Sequence, residues 1–286
     1  MHRFFLTAWI SLRASTAFAT VFTALVTFIV MPLLSIAFNV LLGDTLNSPD
    51  VVRIMYASAT LSAAAGTMAG YTSEVVRARD IEVVRAIQPY RRIDVAFWLG
   101  ICVTPVILSL CTCIVSFGAA TLFALSGGNS HPRSSGAGTV MASGETGEVV
   151  ASSARLVPDL WVIILLILSA LFIGLCLGIF AAGLGINRDN PYAVSNILDV
   201  VLTVTSGVVV PYALYPVWLQ KLLLPFPMHG TIDLLDLPRA GSGDRLVFLV
   251  PWLLDIAVAL VCAGIGLAAF ARLGKHLREG RVTSAI

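Results

Sequence analysis

Residues 160–186 read LWVIILLILSALFIGLCLGIFAAGLGI, an apolar stretch without a charged side chain. A membrane crossing needs about 20 mainly apolar residues, so this stretch is long enough to span a bilayer. Backbone groups in lipid need hydrogen-bond partners within their own segment, which makes such a stretch helical. Further apolar runs cover 15–42, 51–72, 95–125, 193–214 and 246–273. The sequence therefore predicts an all-α membrane protein with six transmembrane helices.

The overall composition agrees with that prediction. Of the 286 residues, 58% are hydrophobic and only 12% are charged, and the mean hydropathy is +0.92. A soluble domain averages about 25% charged residues, so this chain lacks the polar surface of a water-soluble globule. The net charge of +2, without a Lys/Arg-rich block, argues against nucleic acid as a partner. We expect residues 1–286 to form one transmembrane domain in the lipid bilayer.

The distribution of basic residues predicts the orientation of the spans. Cytoplasmic segments of membrane proteins carry an excess of Lys and Arg. With a cytoplasmic N-terminus, twelve of the 18 Lys and Arg residues fall on inner segments and six on outer ones. Both termini are therefore expected in the cytoplasm.

Four segments outside the spans have distinct characters. Residues 1–14 predict an amphipathic helix in the membrane interface. Residues 73–92 predict a charged cytoplasmic helix between spans two and three. Residues 127–158 are rich in Gly and Ser and predict a flexible external loop. Residues 211–244 are apolar but interrupted by prolines, which predicts a broken helical re-entrant segment that dips into the outer leaflet or packs on the helices.

The 73–92 helix is the segment best suited to couple this chain to a cytoplasmic partner. Drawn as a helix from about Glu74 to Gln88, it gathers apolar side chains on one side and charged ones opposite. The candidate contact residues are Glu74, Val76, Arg77, Asp80, Glu82, Val83, Arg85 and Ile87. The alternative is a basic loop that only fixes the topology.

Polar side chains within spans two and five are candidates for a translocation path. They are Tyr56, Thr60, Thr67 and Tyr71 in the second span and Thr203, Thr205 and Ser206 in the fifth. Packing is the alternative, because hydroxyls also bond back to helical carbonyls. The spacings Gly66-x-x-x-Gly70 and Gly174-x-x-x-Gly178 indicate close helix approach.

Two carboxylates, Asp199 and Asp255, also fall within predicted spans. Charge in a bilayer costs at least a few kcal/mol, so each residue needs an explanation. Either could form structural hydrogen bonds, face a wet path or relay protons. Asp199 could also lie close enough to the cytoplasmic end to stay hydrated.

The sequence contains no catalytic, metal or cofactor pattern. Residues 125–129, LSGGN, nearly match the signature of ABC ATPases, but the chain lacks the G-x-x-x-x-G-K-[ST] loop that cradles phosphate. The five cysteines lie inside apolar runs, with neither zinc nor disulfide spacing. We therefore expect no enzymatic activity from this chain by itself.

Residues 202–211 read LTVTSGVVVP, residues 215–220 read YPVWLQ, and PFPMH (225–229) and ID (232–233) follow before the last span. In this order and spacing the chain resembles the ABC-2 type permeases, which are membrane subunits of ABC exporters. The predicted interfacial helix, six spans and charged helix after span two agree with that family over essentially the whole chain. Two places depart from it: 79–82 lacks the family's Gly-Thr, and 232–236 is acidic where the family often has Arg.

The resemblance implies a permease subunit that moves an amphiphilic substrate (drug, peptide antibiotic, lipid or glycan) out of a bacterial cell across its inner membrane. It implies a dimer, either of two copies or with a second permease, that carries two ABC ATPase subunits. ATP and Mg would bind those subunits, and this chain would hold no cofactor. Spans two and five would lie near the central path.

Two other classes of function remain open from the residues. An ion-coupled secondary transporter would use Asp199 and Asp255 as coupling carboxylates and would stop when the proton gradient collapses. A non-transporting membrane scaffold or immunity protein would tolerate mutation of every candidate path residue.

Overall fold

A computed structural model describes residues 2–13, 15, 20–45, 51–80, 95–125, 158–208, 216, 218, 226–239 and 245–279. Every regular element within these ranges is a helix, which confirms the all-α fold class. The α-helices are α1 (His2–Arg13), α2 (Val21–Leu25), α3 (Met31–Thr45), α4 (Val51–Asp80), α5 (Val95–Leu125), α6 (Leu160–Gly185), α7 (Ala193–Thr205), α8 (His229–Asp233) and α9 (Arg245–Arg278). A π-helical turn, Val26–Val30, joins α2 to α3, and a 3₁₀ helix, Leu234–Arg239, follows α8.

Four helical segments are long and apolar enough to cross a membrane: Val21–Gly43, Gly100–Leu125, Leu160–Gly185 and Phe248–His276. They coincide with the first, third, fourth and sixth predicted spans. At the second, α4 has 30 residues, or about 45 Å, but it is rich in Ala, Ser, Thr and Gly. At the fifth, α7 has 13 residues, and residues 209–215 lie outside the described part of the chain. Four helices thus have the length and composition of membrane spans, while the six-span arrangement stays a prediction.

The α4 helix lies at the centre of the bundle, in contact with α3, α5, α6 and α7. All side chains in the stretch 54–61 are buried. The surroundings of this stretch are protein rather than lipid, so it can carry Ser, Thr and Tyr hydroxyls among its apolar residues. This burial explains why the helix is less apolar than the four segments above.

Glycines allow α4 to approach its neighbours closely. A Cβ at Gly174 of α6 would collide with the backbone of Ala64, and one at Gly70 would lie 2.9 Å from Cβ of Pro105 in α5. Gly70 and Gly174 therefore serve close helix packing, as their spacing predicts.

The first span is the most exposed of the four. Four of its large apolar residues are each more than 60% exposed: Val21, Phe22, Leu34 and Phe38. Within it, the N–H of Met31 bonds to the carbonyl of Val26, five residues back, and Pro32 follows immediately. A single π turn of this kind is a common local distortion of an α-helix, and it occupies the place where Pro32 predicts a kink.

The bundle has two distinct ends. At the first, called the basic end, the C-terminal parts of α4, α6 and α9 meet the start of α5 in one apolar cluster that includes Val75, Ile101, Ile186 and Phe270. Arg77, Arg79, Arg188, Arg272 and Lys275 belong to these same helix ends. At the opposite end, called the far end, the start of α4 meets residues 226–239.

The α1 helix lies across α5 at the basic end. A Cβ at Gly100 would fall 2.7 Å from Cβ of Thr7, so α1 sits directly on this glycine. Its apolar side chains Phe5, Trp9 and Ile10 are more than half exposed, whereas Ser11 is buried. The helix thus turns its polar side toward the protein and its apolar side outward, an arrangement typical of a helix in the membrane interface.

Candidate functional site

The predicted path residues of α4 lie inside the bundle. Tyr56, Thr60, Thr67 and Tyr71 are each at most 1% exposed. The Tyr56 hydroxyl lies 2.8 Å from that of Thr121 in α5, and the hydroxyls of Thr60 and Thr67 donate to carbonyls four residues back. Within a single chain this stripe contributes to helix packing. Its place along a translocation path stays a prediction.

The predicted path residues of α7 face different directions. Thr203 is exposed and donates to the carbonyl of Asp199 at 2.8 Å. Ser206 and Thr205 are buried. Ser206 donates to the carbonyl of Thr203 at 3.2 Å, whereas the hydroxyl of Thr205 has no partner among the described residues. The structure therefore does not gather these three side chains into one polar surface.

A cleft of about 410 Å³ opens between the first span, α4 and α5. It lies on the face of α4 that carries Gly66 and Gly70. Seven lining residues carry hydroxyls: Ser15, Thr23, Thr27, Ser73, Thr104, Ser109 and Thr112. Pro105 and Leu108 add apolar surface, and Glu74 is the one charged residue among the described residues of the lining. A hydroxyl both donates and accepts, so this lining can bind varied polar groups beside an apolar chain.

Glu74 joins three helices at the basic end of the cleft. Its Oε2 accepts a hydrogen bond of 2.9 Å from Ser11 of α1, and Ser11 in turn accepts one of 2.8 Å from Thr104 of α5. Its Oε1 lies 3.2 Å from Nη1 of Arg77. The Glu74 side chain is 14% exposed. The carboxylate is therefore held in a partly buried network that still reaches the cleft.

The predicted coupling helix begins as the end of α4. Residues 73–80 continue that helix without a break, and Val76 is buried in the bundle. Asp80 is exposed, and Arg79 donates to the carbonyl of Arg188 beyond α6 at 3.1 Å. The remaining candidates, Glu82, Val83, Arg85 and Ile87, lie outside the described residues, as does the predicted loop up to residue 157.

Asp255 holds the segment that follows residue 225 against α9. Its Oδ2 accepts a hydrogen bond of 2.7 Å from the N–H of Thr231 and one of 3.0 Å from the Thr231 hydroxyl. The N–H of Met228 is a further donor. The Nδ1 of His229 lies 3.6 Å from Oδ1. The carboxylate thus binds the first turn of α8, whose free N–H groups favour a negative charge. Structural hydrogen bonding was one of the open interpretations of Asp255, and this geometry supports it.

Arg53 at the start of α4 binds the same segment from the other side. Its guanidinium lies 3.5 Å from Asp233 and 3.2 Å from Asp236. Burial raises the pKa of the Asp233 carboxyl above its ordinary value, while the positive charge of Arg53 opposes that rise. The described part of the predicted re-entrant segment, 226–239, is therefore packed on the helices.

Asp199, by contrast, is exposed on α7. Its side chain takes part in none of the ion pairs found within the described ranges. Asp199 and Asp255 therefore have different surroundings and do not form a pair.

Sequence reasoning missed the cleft and the Ser11–Thr104–Glu74 network. A signal was present, because Thr23 and Thr27 are spaced four apart on a span, and Thr104, Ser109 and Thr112 share a face of another. The polar stripe of span two is the more prominent pattern in the sequence, and it points away from this cleft.

Comparisons with known proteins found no match that would assign a function to this site. No family model matches the chain. No curated protein and no solved structure matches it either. Within the described ranges, no group of three His, Cys, Asp or Glu side chains is placed to hold a metal ion.

Proposed function

We propose that this chain is the permease subunit of an ATP-driven ABC exporter of the ABC-2 type, with six spans and both termini in the cytoplasm. The observation that carries the proposal is the continuity of α4. This single helix, Val51–Asp80, runs from the far end through the buried core and along the cleft to the basic end. A displacement of its charged end is therefore transmitted directly to the cleft.

Charge supports the assignment of the basic end to the cytoplasm. The ends of α4, α6 and α9 that meet there carry the arginines and the lysine listed above, and cytoplasmic surfaces of membrane proteins carry such an excess. A cytoplasmic ATPase subunit would then meet residues 73–94 at the end of α4. ATP and Mg would bind that subunit, and the permease would act as a dimer of two copies or with a second permease.

The proposed substrate is an amphiphile that moves from the cytoplasmic side outward. The cleft combines hydroxyls with apolar side chains, which suits a molecule with a polar head and an apolar tail. The ion-coupled alternative draws less support, because the oxygens of Asp255 are bonded to the start of α8.

Copurification with the ATPase tests the proposal. The double variant Val83→Asp, Ile87→Asp places charge on the predicted docking face, where burial without a partner is unfavourable. We expect it to insert and dimerise but to lose the ATPase and its stimulation. The matched control, Val282→Asp with Ile286→Asp, changes the C-terminal tail by the same charge and should retain both. An unchanged ATPase yield for the first variant contradicts the assignment of residues 73–94 as the coupling segment.

A further inference from the structure

We propose that the cleft between the first span, α4 and α5 is a binding site for a cationic amphiphile, with Glu74 as the group that recognises its head. Three observations carry this inference: the chemistry of the lining, the environment of the carboxylate, and the position of the cleft at the edge of the bundle.

The lining selects by charge. Among the described residues that line it, Glu74 is the one charged residue, and the remaining polar side chains are hydroxyls. An anionic head would meet this carboxylate, and none of the described lining residues carries a basic side chain; Arg77, which pairs with Glu74, is not among them. A cationic head would meet the carboxylate and several hydroxyl oxygens that can accept hydrogen bonds. The site therefore favours an ammonium or guanidinium group over a phosphate or sulfate.

The Glu74 carboxylate has capacity for such a head group. Within the described part of the chain, Oε2 contacts Ser11 and Oε1 contacts Arg77, whereas a carboxylate offers about four acceptor positions. The long 3.2 Å contact to Arg77 is a single one, so it offsets only part of the charge. Because the side chain is 14% exposed, its attraction for a cation is stronger than at a fully hydrated site.

The position of the cleft suits entry from the membrane. One wall is the peripheral first span, whose Thr23 and Thr27 are exposed from the chain and line the cleft. Glu74 lies eight residues beyond Gly66 on α4, so the lining extends about 12 Å from the carboxylate. A head group at Glu74 would leave its apolar chain beside Leu108 and the lipid.

Thiol labelling tests the site directly. Ser73→Cys, in a full-length chain whose five native cysteines are replaced by alanine, puts a thiol in the lining beside Glu74. The probes are two methanethiosulfonate reagents of similar size, one with a trimethylammonium group and one with a sulfonate. We expect Glu74→Gln to lower the cationic-to-anionic rate ratio about tenfold. Asp189→Asn, an exposed carboxylate at the same end, should leave the ratio unchanged.

Protection by a ligand provides the second measurement. Submicellar dodecyltrimethylammonium should slow the reaction of this thiol with neutral methyl methanethiosulfonate at least threefold, and dodecyl sulfate should not. The thiol introduced by Ala69→Cys, exposed on α4 and outside the lining, should be insensitive to both. Equal protection by the two detergents, or a rate ratio that Glu74→Gln does not change, overturns the inference.

The step from a bound cation to an exported substrate rests on the proposed function. The labelling experiment needs no ATPase, so a negative labelling result would refute only the proposed cation site. A failure of ATPase copurification removes the exporter assignment and leaves the labelling result standing.

Discussion

The two ends of α4 differ in how they are held. At the far end, Arg53 and Asp255 bind residues 226–239 from opposite sides through ion pairs and backbone hydrogen bonds, and Met228, Ile232 and Leu234 are fully buried there. At the basic end, the same helix also packs in the apolar cluster described above, but there it borders a cleft, and its polar ties to α1 and α5 are one carboxylate and two hydroxyls.

This difference indicates which end can move. Buried charge contacts and close packing resist displacement, since any shift leaves polar groups without partners. A cleft lined by hydroxyls tolerates displacement, because water or a ligand can replace each lost hydrogen bond. We therefore infer that the far end is the fixed end of the bundle and that the basic end is the end that can move.

The largest expected effect is at the far end. Asp255→Ala removes the acceptor for the N–H and hydroxyl of Thr231 and leaves those donors buried. We expect a loss of about 3 kcal/mol in the free energy of unfolding, measured as a fall in Tm of the purified protein in detergent. Asp255→Asn keeps one acceptor oxygen and should lose about half as much. A Tm within 1 °C (about the noise of such a measurement) for the alanine variant would contradict the fixed-end assignment.

A pair of glycine substitutions sharpens the comparison. A Cβ at Gly230 would lie 2.7 Å from the backbone N of Trp252 and still nearer the Pro251 carbonyl, so Gly230→Ala should cost about 2 kcal/mol through overpacking. A Cβ at Gly66, beside the cleft, meets only the Ser109 hydroxyl at 3.4 Å. Gly66→Ala should be neutral or stabilise the helix by up to about 1 kcal/mol. Equal losses in thermal unfolding would show that α4 is packed as closely beside the cleft as residues 226–239 are packed at the far end.

Much of the fold is predictable from the sequence because lipid imposes strong rules. The run at 160–186 could only be a helix, and α6 occupies it almost residue for residue. The tail of α4 was less predictable. The apolar run of the second span ends at residue 72, and the charged amphipathic pattern that follows predicts a separate helix, yet residues 73–80 continue α4. Charge alone does not mark a helix end when no Gly or Pro interrupts the chain.

The cleft was beyond prediction for a different reason. Ser11, Glu74 and Thr104 come from three helices far apart in sequence, and no periodicity in one segment shows which faces meet. The role of Asp255 was also hidden, because its partners are backbone N–H groups of an irregular segment. Close contacts of this kind depend on tertiary packing, which single-sequence patterns do not encode.

Thiol labelling tests directly whether an ATPase acts on the cleft through α4. The labelled residue is the cysteine introduced by Ser73→Cys, in inverted membrane vesicles that retain the native partners. If an ATPase acts through the end of α4, addition of MgATP should change its labelling rate severalfold, whereas an uncoupler added alone should not. The thiol introduced by Ala69→Cys serves as the control on the same helix. If MgATP leaves the labelling rate unchanged, or if the uncoupler alone changes it, α4 does not link an ATPase to the cleft.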